Sequence, residues 1–492
     1  MADLPRLVAG VDCSTQATKV LLVDPVTGRL VASGCAAHDV TGRHGWRETD
    51  PAVWWTALRD ALAQTRGAGR VAAISVASQQ HGLVVCDDGG RPLRPAILWN
   101  DTRSAREAEE LCSALGADGW AGRVGVVPVP SFTVTRWAWL RRHEPEVAAS
   151  TASIHLPHDW LTHRLCDRHV TDRGDASGTG WWSTLEEDYS QEVLDLARLD
   201  RALLPQVLGH DETAGEITPA AAEGLGLSRD VLVGPGTGDN MAAALGLGME
   251  PGETAISLGT SGTAFTVAAQ RTADASGQVA GFADATGRYL PLVATLNCTL
   301  AVDRVAEWLG LDRDETAETT EVTVLPYLDG ERTPNLPDAA GMIFGLRHST
   351  TREEILLGAY EGAAASLAEA LDRLHEQSSD VQSAAPILLI GGGANGRSWQ
   401  RVLARISGRL LQVPDAPEIV ALGAAAQAAS CLLGESAVDI AKRWGSRAGA
   451  RITPPVEPDT ETLARVRSTR AAAEGMAESA SDSRRPVGSR TQ

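Results

Sequence analysis

Lysine is almost missing from this chain of 492 residues: it occurs only at Lys19 and Lys442, and the other basic side chains are arginines. That bias belongs to overall composition and carries no function by itself. Long hydrophobic runs are missing too. No stretch of eighteen or more uninterrupted apolar residues occurs, so no membrane-spanning helix is expected. The opening, Met1 to Arg6, lacks the basic and then apolar pattern of a secretion signal, and the expected location is the cytoplasm. Seven cysteines lie scattered without a CxxC pair, which fits reduced thiols, and no Cys/His cluster has the spacing of a zinc site. Neither GxxxxGK[ST] nor the HRD and DFG pair of protein kinases occurs, so any phosphate must be held by another arrangement. Net charge is −19 with no basic stripe, which makes nucleic acid and anionic membrane surfaces poor partners. An acidic chain can still bind a nucleotide if backbone N–H groups and a metal ion meet the phosphates.

What is present is an α/β pattern with length enough for two domains. Leu7–Val11 and Lys19–Val23 are short β-like runs around the turn Asp12-Cys-Ser-Thr-Gln-Ala-Thr18, and Leu30–Cys35 follows as a third strand. Trp54–Thr65 reads as a helix and Val71–Val76 as a strand buried on both faces. A similar hairpin returns half a chain later. Glu253–Ser257 enters Ser257-Leu-Gly-Thr-Ser-Gly-Thr263 and leaves through Ala264–Val267, which suggests a duplicated domain. The boundary is placed at 248/249, in a junction made flexible by Gly246, Gly248 and Gly252, giving domains 1–248 and 249–470. The stretch 471–492 shows no apolar periodicity and is expected to be a disordered tail.

Small, hydroxyl-bearing turns let backbone N–H groups close around phosphate, and two facing ones would clamp a triphosphate between domains. Ser14 and Thr15 of the first turn and Gly259 and Thr260 of the second are the candidates. Asp12, ending an apolar strand, is either a turn residue or the carboxylate for the Mg²⁺ that accompanies ATP. Val231–Asn240 is a strand and glycine-rich turn opening a helix over Met241–Leu247. Asp239 there is either an N-cap or the base that takes a proton from an alcohol during phosphoryl transfer. Gln79, Gln80 and His81 gather at a strand end, as an edge that binds a polyol would require. Trp99, Asp101 and Arg103 form a second polar and aromatic cluster. The late strand Ile387–Ile390 ends in Gly391, Gly392 and Gly393 before Asn395, a bare backbone suited to an adenine or ribose face.

Taken together, these pieces resemble the FGGY family of carbohydrate kinases, from about Leu7 to about Ala450. Ser131-Phe-Thr-Val-Thr-Arg-Trp-Ala-Trp-Leu140 is similar to one family signature, with Arg136 where Lys is usual. Gly341-Met-Ile-Phe-Gly-Leu346, with Glu354, Ile355 and Glu361, is similar to the other. The resemblance implies two actin-like, ribonuclease H-like α/β domains around a deep cleft, with ATP and Mg²⁺ as cofactors. It further implies Asp239 as catalytic proton acceptor and Asp12 as the metal- and phosphate-linked catalytic carboxylate. Gln80 and His81 become substrate contacts with Asn240 beside them, and Gly392, Gly393 and Asn395 join the two turns as nucleotide contacts. Within the family, Gln80-His81-Gly82, Pro95–Asp101, Asp50-Pro51 and Tyr327-Leu-Asp-Gly-Glu-Arg-Thr-Pro334 are similar to the members that phosphorylate D-xylulose. The implied partners are that small sugar and ATP, and a homodimer is compatible. The alternatives are another ketose or polyol (ribulose, L-xylulose, glycerol) and a non-catalytic sugar-responsive regulator.

Overall fold

The computed structural model describes residues 6–483 apart from 44, 335, 337, 338, 383, 384 and 417. Two seven-stranded sheets organise it. The first runs Gly215–Glu216, Leu232–Val233, Val71–Ser78, Leu7–Cys13, Ala17–Val23, Leu30–Ala37, with Thr237–Gly238 continuing alongside Val71–Ser78. The second runs Ala280–Ala283, Tyr289–Thr295, Gly262–Thr266, Thr254–Leu258, Ile387–Ile390, Leu411–Val413, Arg451–Thr453. In both, the opening strand pairs antiparallel with its hairpin partner and parallel with a strand from later in the chain. The duplicated hairpins seen in the sequence are therefore the central strands of two actin-like α/β sheets.

Local chemistry accounts for the elements. Leu7–Cys13 and Val71–Ser78 are buried at every position, as strands covered on both faces must be. Leu30–Ala37 lies at the sheet edge and is exposed or half-buried everywhere but at Gly34. The first helix is Pro51–Ala63 and begins earlier than the apolar pattern alone predicts. Asp50 caps it by accepting from Ala52 N at 2.9 Å, and Pro51 occupies the first turn, where no N–H is needed.

The two halves meet through helices. Ile419–Leu433, which follows the central strands of the second sheet, packs on strands Leu7–Cys13 and Val71–Ser78 of the first and against helix Asp239–Gly246. Among the described residues no single helix is long and apolar enough to cross a membrane. The apolarity of Ile419–Leu433 serves this buried seat: Ala421, Ala424, Ala425, Ala428 and Ala429 are all fully enclosed.

Two expectations are corrected. Gly246 is not part of a loose linker: it is buried in helix Asp239–Gly246, and a Cβ there would overlap Ile419 O. The residues after it are tied down, with Arg447 Nε donating to Leu247 O at 2.7 Å and Arg447 pairing with Glu253 at 2.6 Å. The expected tail is helical as far as it is described, within Thr460–Ser483. The sequence reading missed a helical spacing of buried positions at Thr462, Val466 and Ala473. Val466 and Ala473 bury against Leu325, Tyr327 and Ala365, while Arg465 and Arg470 pair with Glu361 and Glu369 at 2.7 Å. Residues 484–492 lie outside the described residues.

Gly423→Ala tests the crossing directly, because the new methyl would overlap Ala242 O across the helix pair. The thermal midpoint should fall as expected for overpacking against rigid backbone, a cost of about 1–3 kcal/mol or more. Gly224→Ala, at a helix position where a Cβ meets nothing, should leave the midpoint unchanged or raise it.

Candidate active site

Three neighbouring strand ends build one wall. Thr237–Gly238 and Leu7–Cys13 flank Val71–Ser78, all parallel, with Asp12 and Thr237 both in register with Ala77. Their carboxyl ends deliver Asp12, Gln79-Gln80-His81 and Asp239 to a common crevice, where open α/β sheets bind ligands. Asp12 is 4% exposed and accepts from Ser14 Oγ at 2.7 Å. Burial pushes its carboxyl up to about 6, against the opposing pull of Ser14 and Lys19. Asp239 opens helix Asp239–Gly246 but is not its N-cap, a position held by Gly238. Burial, and then the charge of Asp12, push Asp239 up to about 7.

Asn240 is the hub. Its Nδ2 donates to Asp239 Oδ1 at 2.8 Å and to Gln80 Oε1 at 2.9 Å, while Thr263 Oγ1 donates to its Oδ1 at 3.1 Å. Thr263 closes the second duplicated turn, so Asn240 joins the two halves of the molecule. The glycine turn before it has no room for side chains: Gly236 has φ +77°, and a Cβ on Gly238 would sit 2.7 Å from Gln80 Cγ.

The second turn lies beside the late glycine run. Thr254–Leu258 and Ile387–Ile390 are parallel neighbours, and a Cβ on Gly391 would come within 2.7 Å of Leu258 O. Gly259, Thr260, Gly392 and Gly393 thus share one strand-end region. Thr260 and Gly392 are exposed, and a Cβ on Gly392 would meet nothing within 4 Å. Thr299 N and Oγ1 hold Gly259 O at 3.2 and 2.7 Å. Asn395 differs from the others, since its Oδ1 accepts from Arg451. In the first turn, Thr15 Oγ1 accepts from Trp99 Nε1 at 3.1 Å.

His81 adopts φ +66°, a left-handed conformation that is uncommon outside glycine. Its carbonyl is held there by Arg136 Nη1 at 2.7 Å and Thr133 Oγ1 at 3.0 Å. Its ring packs against Phe132 at 5.1 Å and, from the second half, Phe282 at 5.5 Å. Burial, then the charges of Arg136 and Arg332, keep the imidazole well below its usual range and therefore neutral. Arg136, fully buried, also donates to Trp99 O at 2.8 Å, so this signature position braces the backbone of two site segments. Asp101 and Arg103 form a buried ion pair at 2.7 Å, and Arg103 stacks 3.8 Å from the Trp46 ring. That cluster is scaffold.

Sequence reasoning missed a buried polar layer beneath Asp239. Asp172 accepts from Thr237 Oγ1 at 2.8 Å, and His158 Nε2 lies 3.2, 3.5 and 3.4 Å from Asp159, Asp172 and Asp175. Burial drives the carboxyls of Asp159 and Asp175 far up and His158 down to about 3, so the neutral forms are favoured. The signal available was charge where the surrounding sequence reads as core: Asp159, Asp172 and Asp175 within buried segments.

Comparison with known proteins agrees with this architecture. Residues 7–246 match the N-terminal domain and residues 254–432 the C-terminal domain of the FGGY family of carbohydrate kinases, and the chain belongs to that family. It is a carbohydrate kinase. It is 55% identical to a xylulose kinase of Streptomyces coelicolor over 462 residues, 94% of this chain and 95% of that protein. A xylulose kinase of Escherichia coli is 35% identical over 437 residues, 85% of this chain and 88% of that one. The crystal structure of xylulose kinase from Bifidobacterium adolescentis superposes with TM-score 0.80 at 36% identity, covering 95% of this chain and 100% of that one. Glycerol kinase of Plasmodium falciparum shares the fold, with TM-score 0.79 at 19% identity over 95% of this chain and 98% of that one.

The hub predicts a titration. Asn240→Ala removes a donor to the Asp239 carboxylate, and donors to the charged form lower a pKa, so the Asp239 carboxyl should rise above its value of about 7. One lost hydrogen bond of about 1 kcal/mol corresponds to roughly 0.7 of a pH unit. Carbon NMR titration of labelled aspartate reads the shift, and a midpoint that moved down would contradict it.

Proposed function

We propose that this carbohydrate kinase transfers the γ-phosphoryl group of ATP to the terminal C5 hydroxyl of D-xylulose, with Asp239 accepting the hydroxyl proton. The observation that carries the reading is Asp239 itself: a carboxyl raised to about 7, at a strand-to-helix junction, joined through Asn240 to Gln80 on one side and Thr263 on the other. A base that ionises near neutrality is matched to proton abstraction at physiological pH. The choice of D-xylulose leans on the similarity to the Streptomyces coelicolor and Escherichia coli proteins, which extends over most of the chain.

The remaining residues divide by position. Gln80 and neutral His81 would line the sugar, with Asn240 orienting Gln80. Ser14, Thr15, Gly259 and Thr260 would surround the phosphates, with Gly392 and Gly393 presenting bare backbone to the nucleoside. Asn395 would contribute through its backbone, because Arg451 occupies its side-chain oxygen. Asp12 suits Mg²⁺: its charge raises the proton affinity of buried Asp239, and a hard cation sharing nucleotide oxygens relieves that repulsion. Bound there, Mg²⁺ would offset charge on the transferred group. Approach of the two halves would exclude water, which would otherwise compete with the sugar as acceptor.

Asp239→Asn keeps size but cannot take a proton, so turnover should fall by roughly two to four orders of magnitude with the fold retained. Turnover near that of the parent protein would remove Asp239 from the mechanism. His81→Ala should act on the sugar side, raising its KM while calorimetric affinity for a non-hydrolysable ATP analogue stays the same. Unchanged sugar kinetics together with lost nucleotide affinity would overturn the placement. Which ketose is used is settled by ATP consumption against a panel of ketoses and polyols.

A further inference from the structure

The segment Tyr327–Pro334 carries more than a resemblance. Glu331 is 1% exposed, and its carboxylate is taken up by backbone of its own half: Leu296 N donates at 2.6 Å, Arg332 N at 2.7 Å and Asn297 N at 3.2 Å. Thr333 Oγ1 donates to Ala294 O at 2.8 Å. Both flanking residues thereby fasten the loop backbone on either side of Arg332 to the end of strand Tyr289–Thr295. Arg332 crosses to the other half. Its Nη1 lies 3.5 Å from Ser131 Oγ, and its guanidinium carbon is 5.9 Å from the centroid of Phe132. That ring packs on His81, and the Arg332 charge is felt there, as one of the causes that hold the imidazole neutral.

Arg332 is half-buried, and its guanidinium is poorly satisfied by the protein around it. Burial lowers its pKa to about 10, and the charge next in sequence, Glu331, is committed to backbone donors. Among the described residues its guanidinium makes one long hydrogen bond, to a neutral hydroxyl. Five N–H donors in a planar fork call for several oxygens, and leaving unmet those turned away from solvent is costly. A ketose carries an oxygen on every carbon.

We propose that Arg332 is a specificity-determining residue for the sugar, donating hydrogen bonds to oxygens at the end of the ketose remote from the hydroxyl that faces Asp239. This rests on the reading of the cleft as a ketose kinase site. The direction follows from the order of groups along the wall: Asp239 and Asn240 adjoin Gln80, His81 follows Gln80, and Arg332 lies beyond His81 over Phe132. A sugar with its reacting end at Asp239 meets Arg332 with its other end. Because the loop belongs to one half and the wall to the other, the donor is supplied only when both halves come together, which ties sugar selection to assembly of the site.

Arg332→Met and Arg332→Lys test this in the full-length protein. Removal of the charged donors in R332M should raise the KM for D-xylulose about 10- to 100-fold. Affinity for a non-hydrolysable ATP analogue and the thermal midpoint should stay close to those of the parent. R332K keeps charge without the fork and should recover only part of the loss. A D-xylulose KM in R332M equal to that of the parent overturns the proposal. So does a loss in R332M of nucleotide affinity and thermal midpoint together, accompanied by a parental KM in R332K, because Arg332 would then brace the fold alone. Failure of the underlying reading looks different: the parent protein itself would consume no ATP with D-xylulose or any other ketose, and the proposal would fall with it.

Discussion

The site depends first on backbone lying against backbone at three glycines. A Cβ on Gly10 would overlap Ala421 O, one on Gly246 would overlap Ile419 O, and one on Gly423 would overlap Ala242 O. These contacts let helix Ile419–Leu433 lie directly on strand Leu7–Cys13 and on helix Asp239–Gly246. The strand ends in Asp12 and the helix begins with Asp239, so one buried helix fixes both carboxylates. The same helix reaches further: Gln427 accepts from Ser75 Oγ at 3.0 Å and donates to Gly236 O at 3.1 Å, setting the turn that aims Asp239. Its alanine face is the counterpart of the glycines opposite, since any larger side chain would separate the surfaces.

Electrostatics follow from that packing. Two carboxylates enclosed in one crevice favour their protonated forms through burial first, and Asp239 through the charge of Asp12 second. The neighbouring groups temper this without cancelling it: Ser14 and Lys19 pull Asp12 down, and Asn240 pulls Asp239 down. What results is a pair whose ionisation lies close to neutrality, where an incoming cation or a hydroxyl proton can change its state. Beneath it, Asp172 is tied to Thr237, two residues before Asp239, so the polar layer around His158 supports this turn from below through one side-chain hydrogen bond.

Much of this was legible in the sequence, for identifiable reasons. Period, apolar runs and turn chemistry are local, and so the two hairpins, the glycine turn before Asp239 and the strand end at Gln80 could be recognised from short segments. The roles of Gly246 and Gly423 could not. A glycine that permits flexure and one that permits close packing look the same until the facing helix is known. Arg136 was likewise opaque: its partners, His81 O and Trp99 O, are 55 and 37 residues away in the chain. The helix Thr460–Ser483 was missed because its buried positions are few and its other contacts are ion pairs to a distant helix. Asp50 and Pro51 show the opposite case, a start signal that was present and outweighed by the apolar pattern behind it.

The placement of His81 ties the chemistry of its wall to the contact between the two halves. A left-handed backbone at a histidine costs energy, and it persists here because Arg136 and Thr133 hold the carbonyl that would otherwise relax. The ring is thereby set between Phe132 of one half and Phe282 of the other. Remove the second half and the imidazole loses one face of its packing, along with part of the desolvation that keeps it neutral. A neutral imidazole offers both a donor and an acceptor to hydroxyl groups, whereas the protonated ring offers donors alone. The chemical character of the wall that carries Gln80 and His81 is therefore set by contact between the halves, and a histidine on an isolated first half would present a different surface.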